Sequence, residues 1–217
     1  MIFTIIILFS FTCWLSSLIL LRKKQAGYLH HMTWFLGLTT MAELSGYLVY
    51  FQFHQKNNYW VFNAFLPVEV FFLSWLFYKI LSPYCNCKPW ILAGLTVFFT
   101  IYLYESFQSS FLGLSMNAKN FSSVFIIVIC LSYYYFLLKS EEYIRLKTHA
   151  PFWIVTGCFF FYFGSVTCDI FFDHLLSINK VTIKPVRYVI FIVLNFILYS
   201  SWSYSFLCKY RQTTSSY

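Results

Sequence analysis

Apolar residues run along this chain in seven long stretches, at approximately 1–21, 32–53, 59–81, 89–104, 121–139, 151–175 and 186–208, divided by short polar segments. A helix needs about 20 apolar residues to cross a bilayer core, so each stretch predicts a membrane-spanning helix. The fourth is the shortest and extends towards Phe107. The segments between them are too short for a second domain. Short connections also make sequence neighbours antiparallel neighbours in space. The expected fold is therefore all-α: one seven-helix transmembrane bundle over residues 1–210, followed by a short polar tail at 211–217. The longest connection, Glu105 to Asn120, is half apolar and is expected to lie on the membrane surface or to cap the bundle.

Two glutamates interrupt this pattern. Glu43 and Glu69 sit in the middle of the second and third stretches. A carboxylate at the bilayer centre costs about 2.5–3.5 kcal/mol even on insertion scales, so it faces protein or water. The turn between the stretches centres near Lys56, and the two acids lie thirteen residues before and after it. Equal helical rise on the two sides places them at nearly the same depth. Whether they meet depends on rotation about each helix axis.

Pro67 lies two residues before Glu69. A proline within a helix removes a backbone hydrogen bond and commonly bends it. The carbonyl freed near Asn63 must find a neighbour, a hydroxyl or water in the membrane. A bend beside a carboxyl makes a small polar cavity, and a bend for packing alone is the plainer reading.

Helical spacing gathers polar residues into stripes. In the second stretch Thr40, Glu43, Tyr47 and Tyr50 share a face; in the sixth, Cys158, Tyr162, Ser165, Asp169 and Asp173; in the seventh, Tyr188, Asn195, Tyr199 and Trp202. The neighbours of Glu69 on its own helix are mainly apolar, so its partner must come from another helix. Such stripes can simply join helices by hydrogen bonds. The buried acids favour a ligand-binding or proton-relay site, built on Glu43 and Glu69 with Tyr47, Asn195 and Tyr199 as partners. Asp169 is placed near one entrance. The plain reading of Asp169 or Asp173 is an ion pair with Arg187. The sharper one is a divalent-cation mouth made by His54, Asp169, Asp173 and His174, whose ligand types suit a metal.

The composition agrees with a membrane bundle: 60% of the 217 residues are hydrophobic, only 10% are charged, and the mean hydropathy is +0.68. Soluble domains hold roughly 25% charged residues. The formal charge of +8 follows from how Lys and Arg are distributed. With seven spans and the N-terminus outside, ten of the fifteen lie on the inner side and five on the outer, which predicts N-out, C-in. The outer segment from Ser177 to Arg187 runs against that rule. The first stretch lacks a basic leader, and Arg22-Lys23-Lys24 follows it, so it reads as a retained span and not a cleaved signal.

Seven cysteines are not placed as a disulfide set. Cys13, Cys130, Cys158 and Cys168 lie inside spans and Cys208 ends one, while Cys85 and Cys87 share an inner connection. A lone Cys-x-Cys falls short of the four ligands of a structural zinc site. The 28 Phe and 18 Tyr suit lipid-facing and interfacial positions more than a binding cage. Serine-hydrolase, zinc-protease, phosphate-loop and dinucleotide signatures are absent. Residues 188–208 contain no lysine for a retinal Schiff base. No catalytic residue, metal site or cofactor is expected.

Three segments carry a resemblance: NNYWVFNAFLPVEVFFLSWLFYKIL (Asn57 to Leu81), PFWIVTGCFFFYFGSV (Pro151 to Val166) and VLNFILYSSWSYSFLC (Val193 to Cys208). They resemble a group of small bacterial multi-pass inner-membrane proteins that have no assigned activity. In that group an aromatic hairpin with a mid-span glutamate precedes a Phe-Trp-Ile helix with Gly-Ser and an Asn-bearing last helix. The chain is also broadly similar to seven-helix sensor modules fused to bacterial signalling enzymes, though without their output domain. The resemblance implies a companion of membrane sensor kinases. Taken with the buried acids, the expected function is an inner-membrane sensor or accessory module that binds a small or lipidic ligand and acts through a membrane partner such as a sensor kinase. Membrane lipids are the other expected partner, and nucleic acid is not one. A proton-coupled carrier using Glu43 and Glu69 and an intramembrane lipid-modifying enzyme are the alternatives.

Overall fold

The computed structural model describes residues 2–21, 24–51, 58–108, 113, 115–140, 145–178 and 180–214, with side chains for all of these except 2–3, 24–26, 172–178 and 180–185. Among the described residues the chain forms seven α-helices: α1 (Ile2–Leu20), α2 (His30–Phe51), α3 (Tyr59–Leu81), α4 (Lys88–Gln108), α5 (Met116–Lys139), α6 (Ala150–Ile178) and α7 (Lys180–Thr214). Five segments are long and apolar enough to cross a membrane: Tyr59–Leu81, Lys88–Gln108, Met116–Lys139, Ala150–Phe171 and Val186–Thr214. The apolar part of α1, Thr4–Leu20, is shorter. In α2 the polar residues Thr39, Thr40, Glu43 and Ser45 dilute the apolar run.

The apolar stretches locate every helix but understate several lengths, because hydropathy reports the lipid-facing segment while backbone hydrogen bonding continues beyond it. The fourth helix runs on to Gln108. The expected long connection from Glu105 to Asn120 is helical at both ends, since residues 105–108 belong to α4 and Met116–Asn120 to α5. Similarly, α6 reaches Ile178 and α7 begins at Lys180, leaving one residue between them. Residues 211–214, expected to belong to a separate tail, are the last turn of α7.

Helices α6 and α7 pack along most of their length, α1 lies between α2 and α7, and α5 lies between α4 and α6. Helix α3 touches α2, α4 and α5, facing α6 and α7 across the middle of the bundle. The α6–α7 seam is close because α6 presents glycines to it. A Cβ on Gly157 would sit 3.0 Å from Ser201 Cβ and 3.3 Å from the Leu198 carbonyl oxygen, and one on Gly164 would sit 2.5 Å from Leu194 Cδ2. Small residues let membrane helices approach in this way. Between α1 and α2 a 3₁₀ segment (Lys24–Leu29) turns the chain at Gly27, whose φ of 60° is left-handed, a conformation that costs glycine little.

The main apolar core fills the half of the bundle towards the α1–α2, α3–α4 and α5–α6 connections, around Met32, Leu36, Phe77, Tyr133, Ile154 and Phe206. There Phe35 stacks on Phe72 with ring centroids 4.1 Å apart and planes 7° from parallel. A smaller cluster of Val70, Phe98, Tyr102 and Ala118 fixes α4 against α3 and α5.

The Pro67 bend is resolved by the same cluster. Residue 63, four before the proline, has the carbonyl whose helical donor is missing, and Tyr102 of α4 donates its hydroxyl to that oxygen at 3.0 Å. The Asn63 side chain in turn donates to the Gly113 carbonyl and accepts from the Ser115 backbone N–H at 3.1 Å, tying α3 to the start of α5. Replacing Tyr102 with Phe keeps the ring and removes the donor. The variant is expected to lose about 1 kcal/mol, read as a lower melting midpoint in detergent. An unchanged midpoint would show that the carbonyl is satisfied some other way.

Candidate functional site

Glu43 and Glu69 line one cavity of about 190 Å³ at the middle of the bundle, between α2, α3, α6 and α7. Both acids lie in the middle of their helices, and the rotation of each helix brings both carboxyls to this cavity. Each is held by hydroxyl donors from other helices. Tyr199 of α7 donates to Glu43 Oε1 at 2.9 Å, and Ser10 of α1 donates to Oε2 at 2.5 Å. Tyr162 of α6 donates to Glu69 Oε1 at 2.5 Å, which is the expected partner from another helix.

A larger cavity of about 340 Å³ lies on the Asp169 side of the first. Glu69 and Tyr162 border both, together with Phe62, Phe65 and Phe161. The Glu69–Tyr162 hydrogen bond, flanked by these aromatic rings, therefore stands between the two chambers. The larger chamber also meets Asn63, Ser115, Lys119, Ser122, Ser123 and Ser165.

At the far end of that chamber Asp169 joins three helices. Its Oδ2 receives Lys119 Nζ of α5 at 2.8 Å, and its Oδ1 receives Arg187 Nη2 of α7 at 2.7 Å, with the Asp169 side chain only 3% exposed. Both cations also lie 5.6 Å from the Phe191 ring centroid. The ion-pair reading of Asp169 is the one the structure shows. As a metal ligand it has both oxygens engaged by cations, and His54 and the side chains of Asp173 and His174 lie outside the described residues. Among the described residues no His, Cys, Asp and Glu group suited to a metal ion forms.

The remaining expected partners divide. Tyr199 reaches Glu43 directly. Asn195 lines the smaller cavity but donates its amide to the Phe191 carbonyl of its own helix at 2.7 Å. Tyr47 is not brought to the site: its ring packs on Phe51, centroids 4.8 Å apart, and the smaller cavity's lining does not include it. Stripe positions at the helix ends, Tyr50 and Tyr188, are exposed.

Three side chains that build or brace this interior escaped sequence reasoning. Ser10 lies in a helix whose serines look like ordinary back-bonded residues, and it does also donate to the Ile7 carbonyl at 3.0 Å. Lys119 sat in an expected loop, although it lies in the first turn of α5. Glu105 holds that helix start from α4, accepting from Asn117 N at 3.1 Å and Ala118 N at 2.9 Å. An acid at a helix N-terminus meets donors that the helix itself cannot satisfy; its spacing of twelve and thirteen residues from Asn117 and Ala118 is a helix-to-helix signal that hydropathy does not carry.

The fold and this interior define a helical bundle of membrane type with an acidic, hydroxyl-bearing layer buried at its middle. Compared with protein-family models, curated proteins and solved structures, the chain has no match.

Proposed function

We propose that this chain is an integral membrane sensor or accessory module that binds a small or lipidic ligand at the Glu43–Glu69 layer and acts through a partner protein. In this reading all seven helices cross a bacterial inner membrane, with the N-terminus outside and the C-terminus inside. The observation that supports ligand binding is the shared cavity. Buried acids are costly in a membrane, yet two converge here beside open volume where tight packing would have been available. The partner follows from the short connections on the inner side, such as residues 82–87 between α3 and α4, which offer little surface for a response of their own.

The test is purification in mild detergent, followed by mass spectrometry of the proteins, lipids and small molecules retained by the wild type and by Glu43→Gln/Glu69→Gln. The expected result is a small molecule or lipid at least tenfold depleted in the variant, with a protein partner retained by both. Equal content in the two preparations, with both folded, overturns the reading.

A second reading, a proton-coupled carrier, draws on Glu69 bordering both chambers. It requires uptake by the wild type in vesicles that depends on a proton gradient and is lost in Glu69→Gln.

A further inference from the structure

We infer that the larger chamber is a site for a small zwitterion, an ammonium and an anionic oxygen group a few atoms apart, as in an α-amino acid or an aminophospholipid headgroup. The inference deepens the ligand-binding reading above and rests on it. Glu69 and Lys119 both line this one cavity, so it presents an acceptor for an ammonium and a cationic donor for an anion. An ammonium has three donors, and Asp169 takes one of those on Lys119. Near Lys119 the Ser115 hydroxyl lines the same cavity, is buried, and has no hydrogen-bond partner among the described residues. A carboxylate or phosphate oxygen placed against Lys119 supplies the acceptor that hydroxyl lacks. Ser122 and Ser123, whose hydroxyls donate to the Lys119 carbonyl, keep lone pairs on the same wall.

Charge balance separates a zwitterion from simpler ligands. A lone amine would answer Glu69 and ignore Lys119, and a lone anion would do the reverse. A buried charge is tolerated when it is paired, and a zwitterion pairs at both ends while carrying no net charge into the bundle. Much of the remaining wall is aromatic, with Tyr59, Phe62, Phe161 and, beside Lys119, Phe191. The volume of about 340 Å³ is at the small end of ligand cavities, which span about 300–1,000 Å³.

The experiment uses the full chain in detergent with three probes that share a phenylethyl frame and differ in the ionic groups on it: L-phenylalanine, phenethylamine and 3-phenylpropionate. A second arm uses O-phosphoethanolamine, and nanodiscs of phosphatidylcholine with and without phosphatidylethanolamine. Binding is read by calorimetry and by the shift in melting midpoint, for the wild type, Glu69→Gln, Lys119→Gln and Ser115→Ala. The expected result is that L-phenylalanine or O-phosphoethanolamine binds more tightly than either singly charged probe. Glu69→Gln and Lys119→Gln should each weaken that binding about tenfold or more, and Ser115→Ala by less. Binding of L-phenylalanine marks a free amino acid. Binding of O-phosphoethanolamine alone, with phosphatidylethanolamine stabilising the nanodisc protein, marks a headgroup. If phenethylamine binds as well as L-phenylalanine and Lys119→Gln is harmless, the zwitterion falls while ligand binding stands. If no probe binds the folded wild type, the zwitterion is overturned, and the co-purification experiment alone decides whether ligand binding survives. Should Glu69→Gln fail to fold, Lys119→Gln and Ser115→Ala still test the zwitterion, because neither alters the Glu69–Tyr162 bond.

Discussion

Asp169→Ala is expected to lower stability by about 3 kcal/mol, one of the two largest effects in this protein. Removing one partner from a buried ion pair typically costs about 3–5 kcal/mol, since the charges left behind lose their compensation. Here one carboxylate serves two cations on two other helices, at 2.8 and 2.7 Å. Its loss leaves Lys119 and Arg187 facing one another where α5, α6 and α7 meet. The value sits at the low end of the range because the two cations are 29% and 28% exposed and keep part of their hydration. The check is the melting midpoint of the purified protein, with Asp169→Asn beside it. The amide retains an acceptor for one cation and should recover part of the loss. The double variant Asp169→Ala/Lys119→Ala should cost less than the sum of its single variants, because it also removes the repulsion. A midpoint for Asp169→Ala equal to the wild type would mean that solvent already screens the triad and that packing alone holds this end together.

What the sequence revealed and what it hid follow from different ranges of interaction. Helix positions were legible because lipid imposes a local rule: backbone groups must be satisfied within the segment, and side chains must be apolar over a fixed length. The third stretch, 59–81, and the helix Tyr59–Leu81 coincide for that reason. The common depth of Glu43 and Glu69 was legible as well, since it needs only equal rise on either side of one short turn. The Pro67 carbonyl was legible as a demand, though Tyr102 as its supplier was not. Partners were hidden wherever they depend on rotation and on distant helices. Ser10 meets Glu43 from 33 residues away, and Lys119 meets Asp169 from 50. No local pattern marks one of the three serines in α1 as the donor. Tyr47 shows the converse. It shares a helical face with Glu43 by spacing, yet its ring lies on Phe51, because one turn of the helix carries it past the cavity. Helix ends were the other blind spot, and this mattered for function: reading residues 105–120 as a loop put Lys119 outside the bundle, when it lines the larger chamber.

The second large effect is a coupling of about 2 kcal/mol between Glu69 and Tyr162, and its sign pattern separates a site kept for function from one kept for stability. The 2.5 Å hydrogen bond joins α3 to α6 across the cavity. Tyr162→Phe alone strands a carboxyl oxygen, and Glu69→Met alone strands a phenolic hydroxyl. Leaving a buried polar group without its partner costs about 1–3 kcal/mol, whereas replacing both partners by apolar groups of similar shape is nearly neutral or stabilising. Each single variant should therefore melt below the wild type, and Glu69→Met/Tyr162→Phe should melt at or above it. Such a result means that the bundle would be as stable without its central acid, so stability does not account for the carboxyl. The proposed ligand should then be lost from the double variant even though its fold is intact. Stability and retention measured on the same preparations decide the matter. If the double variant is less stable than either single one, the hydrogen bond is a strut between α3 and α6, and the binding role of Glu69 loses its main physical support.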